Sequence, residues 1–245
     1  MSALKRHLLI GAVALLSISS ADAATVTAAG GLVLTPPGTG VGTDIADFDA
    51  ANVANDGFVI FNSVPEGTNV SNRPWNESIV DNSPAYITAL DGSASTSSGG
   101  WANYDDITVG GTTYNTGGLV QSVGAPNEAA LLTFQLTGSV PAQITLGVFA
   151  DHSDNVIWTA DNIRIEGPGG ISASQGLAAL DGAADLLQFN INDGVAGETY
   201  TIWGRDSPNG GGALIGALSF DSIPEPGSLA LLATGFAFML RRRRR

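Results

Sequence analysis

ALLTFQL, residues 130–136, alternates apolar and polar side chains from Leu132 onward. A period of two is the mark of a strand with one face buried. ETYTIW at 198–203 does the same. Around these two, short stretches rich in Val, Ile, Thr and aromatics recur at Phe58–Phe61, Tyr86–Leu90, Leu131–Leu136, Ile144–Phe149, Val156–Ile165, Leu186–Ile191, Thr199–Trp203 and Leu214–Phe220. Turn chemistry separates them at Asp91-Gly92, Asp181-Gly182, Asp193-Gly194 and Pro208-Asn209-Gly210. Many short strands so punctuated predict an all-β chain, a single antiparallel β-sandwich of jelly-roll type. One segment competes as a helix. In Thr43–Asn55, Ile45 and Phe48 are three apart, Ala51 follows, and Thr43 or Asp44 is placed to cap the start. Ser93–Gly100 and Gly167–Gly170 read as loops from their composition. No repeat of fixed period stands out, which argues against a solenoid or propeller.

The first residues follow a different logic. Lys5 and Arg6 precede an apolar run from Leu8 to Ile18, and Ala21-Asp22-Ala23 supplies small residues around a cleavage point before Ala24. That order is the pattern of an export signal over residues 1–23. Residues 24–221 then remain as one domain, long enough to bury roughly 70% of its unfolded surface. Within it three arginines (Arg73, Arg164 and Arg205) face twenty-one acids, a net charge of −18, with no lysine. Such a surface repels a phosphate backbone and offers no basic groove, so nucleic acid is excluded as a partner. The chain has no cysteine. A thiol nucleophile and a thiolate zinc site are therefore excluded, and an exported domain without disulfides relies on its core or on metal ions.

The last residues, IPEPGSLALLATGFAFMLRRRRR from Ile223 to Arg245, stand apart again. Gly227–Leu240 carries no charge, and as a helix would be about 21 Å long against roughly 30 Å of hydrocarbon. Length alone favours an interfacial segment. The block Arg241, Arg242, Arg243, Arg244 and Arg245 outweighs that: consecutive arginines stop transfer and stay on the cytoplasmic side, the nearest of them snorkelling to the headgroups. A short C-terminal transmembrane helix is expected, with the domain outside.

Pro224-Glu225-Pro226, followed at once by a short apolar helix and an arginine cluster, resembles the PEP-CTERM sorting signal of Gram-negative envelope proteins. The resemblance covers the tail, 222–245, with the export signal as its companion. It implies recognition by exosortase, a membrane-embedded cysteine peptidase of transpeptidase type, and processing near the motif. It also implies an inner-membrane anchor before processing, and then the cell surface or extracellular matrix of a bacterium that makes exopolysaccharide.

Two further constellations invite chemistry. Asp44, Asp47 and Asp49, the pair Asp105-Asp106, and Asp151 with Asp154 supply the carboxylates that calcium prefers. Their spacing matches no EF-hand, and aspartate is also an ordinary turn residue. Trp75, Trp101 and Tyr104 lie beside polar residues and loop signals, as a sugar platform would; Trp158 and Trp203 sit inside strand patterns and read as packing. His152 lies between Asp151 and Ser153, but adjacent residues on an extended chain face opposite ways, so Asp151 orients it poorly. No carboxylate pair is nominated for glycoside hydrolysis. The expectation is a non-catalytic structural or adhesive protein associated with exopolysaccharide. The first alternative is a calcium-dependent carbohydrate-binding module and the second a secreted glycan hydrolase.

Overall fold

A computed structural model describes residues 24–34, 45–63, 75–92, 105–116, 118–121, 128–151, 160–168, 170–176, 185–206 and 213–223. Sixteen strands occupy them: β1 Thr25–Val33, β2 Ile45–Asp47, β3 Gly57–Ile60, β4 Val80–Asn82, β5 Ile87–Asp91, β6 Asp105–Val109, β7 Thr112–Thr116, β8 Leu119–Gln121, β9 Glu128–Leu136, β10 Gln143–Asp151, β11 Ala160–Gly167, β12 Gly170–Gly176, β13 Asp185–Asn192, β14 Thr199–Asp206, β15 Ala213–Ile215 and β16 Ala217–Ile223. A six-stranded sheet runs β1-β13-β10-β16-β3-β4, and a five-stranded sheet runs β12-β11-β14-β9-β5. Both are antiparallel throughout. A three-stranded sheet, β2-β6-β7, contains the one parallel pair, and β15 and β8 form a ribbon. The all-β expectation holds, and among the described residues there is no helix.

Alternation explains the layers. On β10, Ile144, Leu146, Val148 and Ala150 face one way, joining Leu187, Phe189 and Ile191 of β13 and Leu218 and Phe220 of β16. The five-stranded sheet meets them with Leu132, Phe134 and Leu136 of β9, Ile163 and Ile165 of β11, and Tyr200 and Ile202 of β14. Phe134 stacks on Tyr200 (centroids 5.5 Å apart) and meets Phe220 edge-on at 6.4 Å. The other face of the six-stranded sheet is covered too. Ile60, Phe149, Leu186 and Ala217 form a second core with Ala46, Phe48, Ile107 and Val109 of the three-stranded layer. With both faces buried, the centre of the six-stranded sheet is apolar at nearly every position, as in Ala217-Leu218-Ser219-Phe220.

Two sequence expectations change. The helix over Thr43–Asn55 is replaced, from Ile45 on, by β2 and a run of turns. Ala46 and Phe48 are both fully buried with Asp47 between them, a period of two. Asp47 Oδ1 then accepts from the Ala50 amide at 2.8 Å, and Asn52 and Ala54 adopt positive φ, which no right-handed helix tolerates. Leu214–Phe220 is two strands, not one. They divide at Gly216, where a Cβ would lie 2.7 Å from Phe149 Cδ1, so the chain passes the ring only because glycine is there.

The strands give the molecule two ends. At one end the connections are 83–86, 137–142, 168–169 and 193–198, and β16 finishes there. At the other end β5, β10 and β14 finish at Asp91, Asp151 and Asp206, and β9 and β13 begin at Glu128 and Asp185.

Candidate functional site: the C-terminal junction

β16 is an interior strand, paired with β10 through Ile223 and with β3 through Phe220. Its last residues are also held by side chains. The Asp221 carboxylate accepts from the Ala54 amide at 3.0 Å and from the Asn55 amide and Nδ2 at 2.8 Å each. The Asp56 amide donates to the Phe220 carbonyl at 3.0 Å, and Tyr86 Oη donates to Asp56 Oδ2 at 2.8 Å. Burial, the hydrogen bond to Asp56 and the Asp56 charge all push the Tyr86 phenol well above its ordinary range, while a bond with Ser222 works the other way. The effect is a clasp that fixes residues 220–222 against segments far away in sequence. Ile223, which ends β16, is followed at once in the sequence by Pro224. Sequence reasoning missed Asp221 and Tyr86, and grouped Asp56 with the Asp44, Asp47 and Asp49 carboxylates as a metal candidate, since nothing local signals partners about as distant as 166 residues.

Pro224, Glu225 and Pro226, Gly227–Leu240 and Arg241–Arg245 lie outside the described residues, as does the export signal at 1–23. Among the described residues no helix is long and apolar enough to cross a membrane.

The carboxylates proposed as calcium ligands separate on inspection. Asp47 caps the turn at Ala50, and Asp49 accepts from the Gly110 and Gly111 amides at 2.7 and 2.8 Å, tying the β6–β7 hairpin to the turn after β2. Asp105 and Asp106 open β6, and Asp151 closes β10 directly opposite Asp185 of β13. Asp44, Asp154 and His152 lie outside the described residues. Among the described residues no group of three or more His, Asp or Glu side chains is placed to hold a metal.

Of the aromatic candidates, Trp101 and Tyr104 also lie outside the described residues. Trp75 is half-buried against the main core, and its Cγ and Cδ2 lie 2.7 Å from where a Cβ on Gly92 would sit, so glycine lets the ring close over that strand end. Trp203, read from sequence as packing, flanks the five-stranded sheet on its outer side. The Arg164 guanidinium covers its ring at 4.8 Å and bridges Glu128 at 3.2 Å and Glu166 at 3.0 Å.

No curated protein and no solved structure matches the chain. The family model of the PEP-CTERM protein-sorting motif matches residues 222–245, beginning inside β16 at Ser222. The chain thus carries, fused to an interior strand of its β-sheet, the signal of an exported protein that is held at the membrane and recognised by exosortase.

Proposed function

We propose that this protein is a non-catalytic structural or adhesive component of the cell surface or extracellular matrix, associated with exopolysaccharide. Its sandwich, of jelly-roll type, is anchored before processing by a short helix over Gly227–Leu240. The observation that carries this reading is the junction itself: the sorting motif follows an interior, clasped strand without a spacer. A folded domain so joined is presented as a rigid body with its acidic end away from the tail. That end holds Asp151 at the close of β10, while Asp105 and Asp106 open β6. Asp44, Asp154, Trp101 and Tyr104 flank strands β2, β6 and β10 in sequence. Cosedimentation of the surface-delivered protein with exopolysaccharide from an exosortase-bearing host tests the association. Retention with the polysaccharide and no change in its chain length is expected; release of oligosaccharides would replace the structural role by the hydrolase.

A calcium-dependent carbohydrate-binding module is the second reading, favoured by one observation: the strand register pairs Asp151 of β10 with Asp185 of β13. A divalent cation between such groups relieves their repulsion and bridges to acidic glycan.

A further inference from the structure

The end of the sandwich from which the tail departs is built unlike the rest of this acidic surface. Among the described residues the exposed large hydrophobic side chains are Val195, 50% exposed, and Ile223, 55% exposed. Both are at this end. Ile223 and Asn192 are register partners of the same residue, Gln143, which places them about 10 Å apart at the usual strand spacing. Val195 stands in the turn just beyond Asn192.

That turn is internally braced. Glu198 Oε2 accepts from the Val195 amide at 2.8 Å and from Tyr200 Oη at 2.9 Å, and the Glu198 amide donates back to the Val195 carbonyl at 3.1 Å. The carboxylate is drawn inward and the Val195 side chain is left outward. Asp221 is likewise saturated by residues 54 and 55, and Asp56 accepts from Tyr86. The neighbouring connection, TGSVPA at 137–142, has no charge. Asp56, Asp81 and Asp193 at this end are exposed, with Asp56 accepting from Tyr86 and Asp81 from the Ser83 amide.

We propose that this end, centred on Val195 and Ile223, lies against the headgroups of the bilayer that holds the unprocessed tail. The proposal rests on the sorting reading. The chain outside the described residues leaves from Ile223 itself, and its apolar run begins four residues on, at Gly227. A rigid domain without a spacer has one end within reach of the membrane, and that is the end with outward apolar side chains and with carboxylates engaged in hydrogen bonds to the protein's own amides and hydroxyls. The opposite end, with Asp91, Glu128, Asp151, Asp185 and Asp206 at strand termini, is repelled by an anionic surface. The contact is temporary: processing near the motif frees it, and the same apolar pair becomes available once the domain reaches the surface.

The chain has no cysteine, so single reporters are introduced without background. Ala196→Cys and Ser139→Cys mark the near end and Asp91→Cys the far end, and all three positions are exposed. The tail-bearing chain, labelled with a fluorophore, is reconstituted in phosphatidylethanolamine–phosphatidylglycerol vesicles carrying a headgroup nitroxide. Quenching at 196 and 139 with none at 91 is expected, and Val195→Asp should return the reporter at 196 to the level of the far one. Flotation with the vesicles but equal quenching at all three positions overturns the proposal while leaving the sorting reading intact. Quenching at 196 that survives Val195→Asp overturns it as well, since proximity alone then explains the signal. Protection of 196 that requires added exosortase and not lipid assigns this surface to the peptidase instead. Failure to float removes the anchor, and with it both readings.

Discussion

The two ends of the sandwich differ in chemistry although the same strands build them. At the tail-exit end, strands begin or finish at Thr25, Leu136, Gln143, Asn192, Thr199 and Ile223, and Asp56, Glu198 and Asp221 serve there as hydrogen-bond acceptors. At the far end five strand termini are acidic, and two of those residues oppose each other. An antiparallel sheet assigns no such difference by itself, because both ends are simply places where strands turn. The domain therefore has a direction. One end is organised to hand the chain to its tail, and the other to face solvent and whatever the charge attracts.

The most severe way to break the comparison is to remove the core contact that fixes β16. Phe220 is fully buried and meets Phe134 edge-on, so Phe220→Ala should lower stability by about 3–5 kcal/mol in chemical denaturation. A loss under about 1 kcal/mol would mean that β16 is not interior. The clasp comes next. Asp221→Ala leaves the amides of Ala54 and Asn55 without their acceptor and should cost about 1–3 kcal/mol, with faster amide exchange concentrated at residues 54, 55 and 220–223. Uniform exchange across the sheet would deny the clasp its local role.

Alkaline titration sharpens the comparison further. The phenols of Tyr86 and Tyr200, both at the tail-exit end, are pushed far up, first by burial and then by the Asp56 and Glu198 carboxylates respectively. A raised folded pKa means that the native state holds its proton longer than the unfolded chain. The stabilising contribution is therefore complete below the ordinary phenol value of about 10 and is lost as pH rises from there through the folded values. Thermal melts should be flat on approaching that value and fall above it, and Tyr86→Phe with Tyr200→Phe should flatten the fall. The smallest effect belongs to the far end. Asp185→Asn removes one of two like charges at register-paired positions and should stabilise by about 0.2–1 kcal/mol in chelator. The same substitution should abolish any rise in melting temperature that millimolar calcium gives the parent. An equal calcium response in parent and variant would remove this pair from the metal reading.

The strands that carry the main core were legible because their periodicity is local: Leu132, Phe134 and Leu136 announce a buried face within five residues. β1 and β12 were not. TVTAAGGLV and GISASQG are edge strands rich in glycine, alanine and small polar residues, and β1 is largely exposed, so it has little buried face to announce. The spacing of Ile45, Phe48 and Ala51 spans under about two helical turns, too short to separate helix from strand, and the second core resolved it by burying Ala46 and Phe48 together. The sorting tail was legible because motif, apolar run and arginines follow one another in the chain. The clasp that receives it joins Asp221 to Asn55 and Tyr86 to Asp56, and such pairs exist only after folding.

Intact-mass and C-terminal peptide analysis of the protein delivered to the surface of an exosortase-bearing host tests the central claim most directly. The expected mature chain begins at Ala24 and keeps β16 through Ile223 while lacking Arg241–Arg245. A surface protein that retains the arginine block, or one that ends before Ala217, would contradict it.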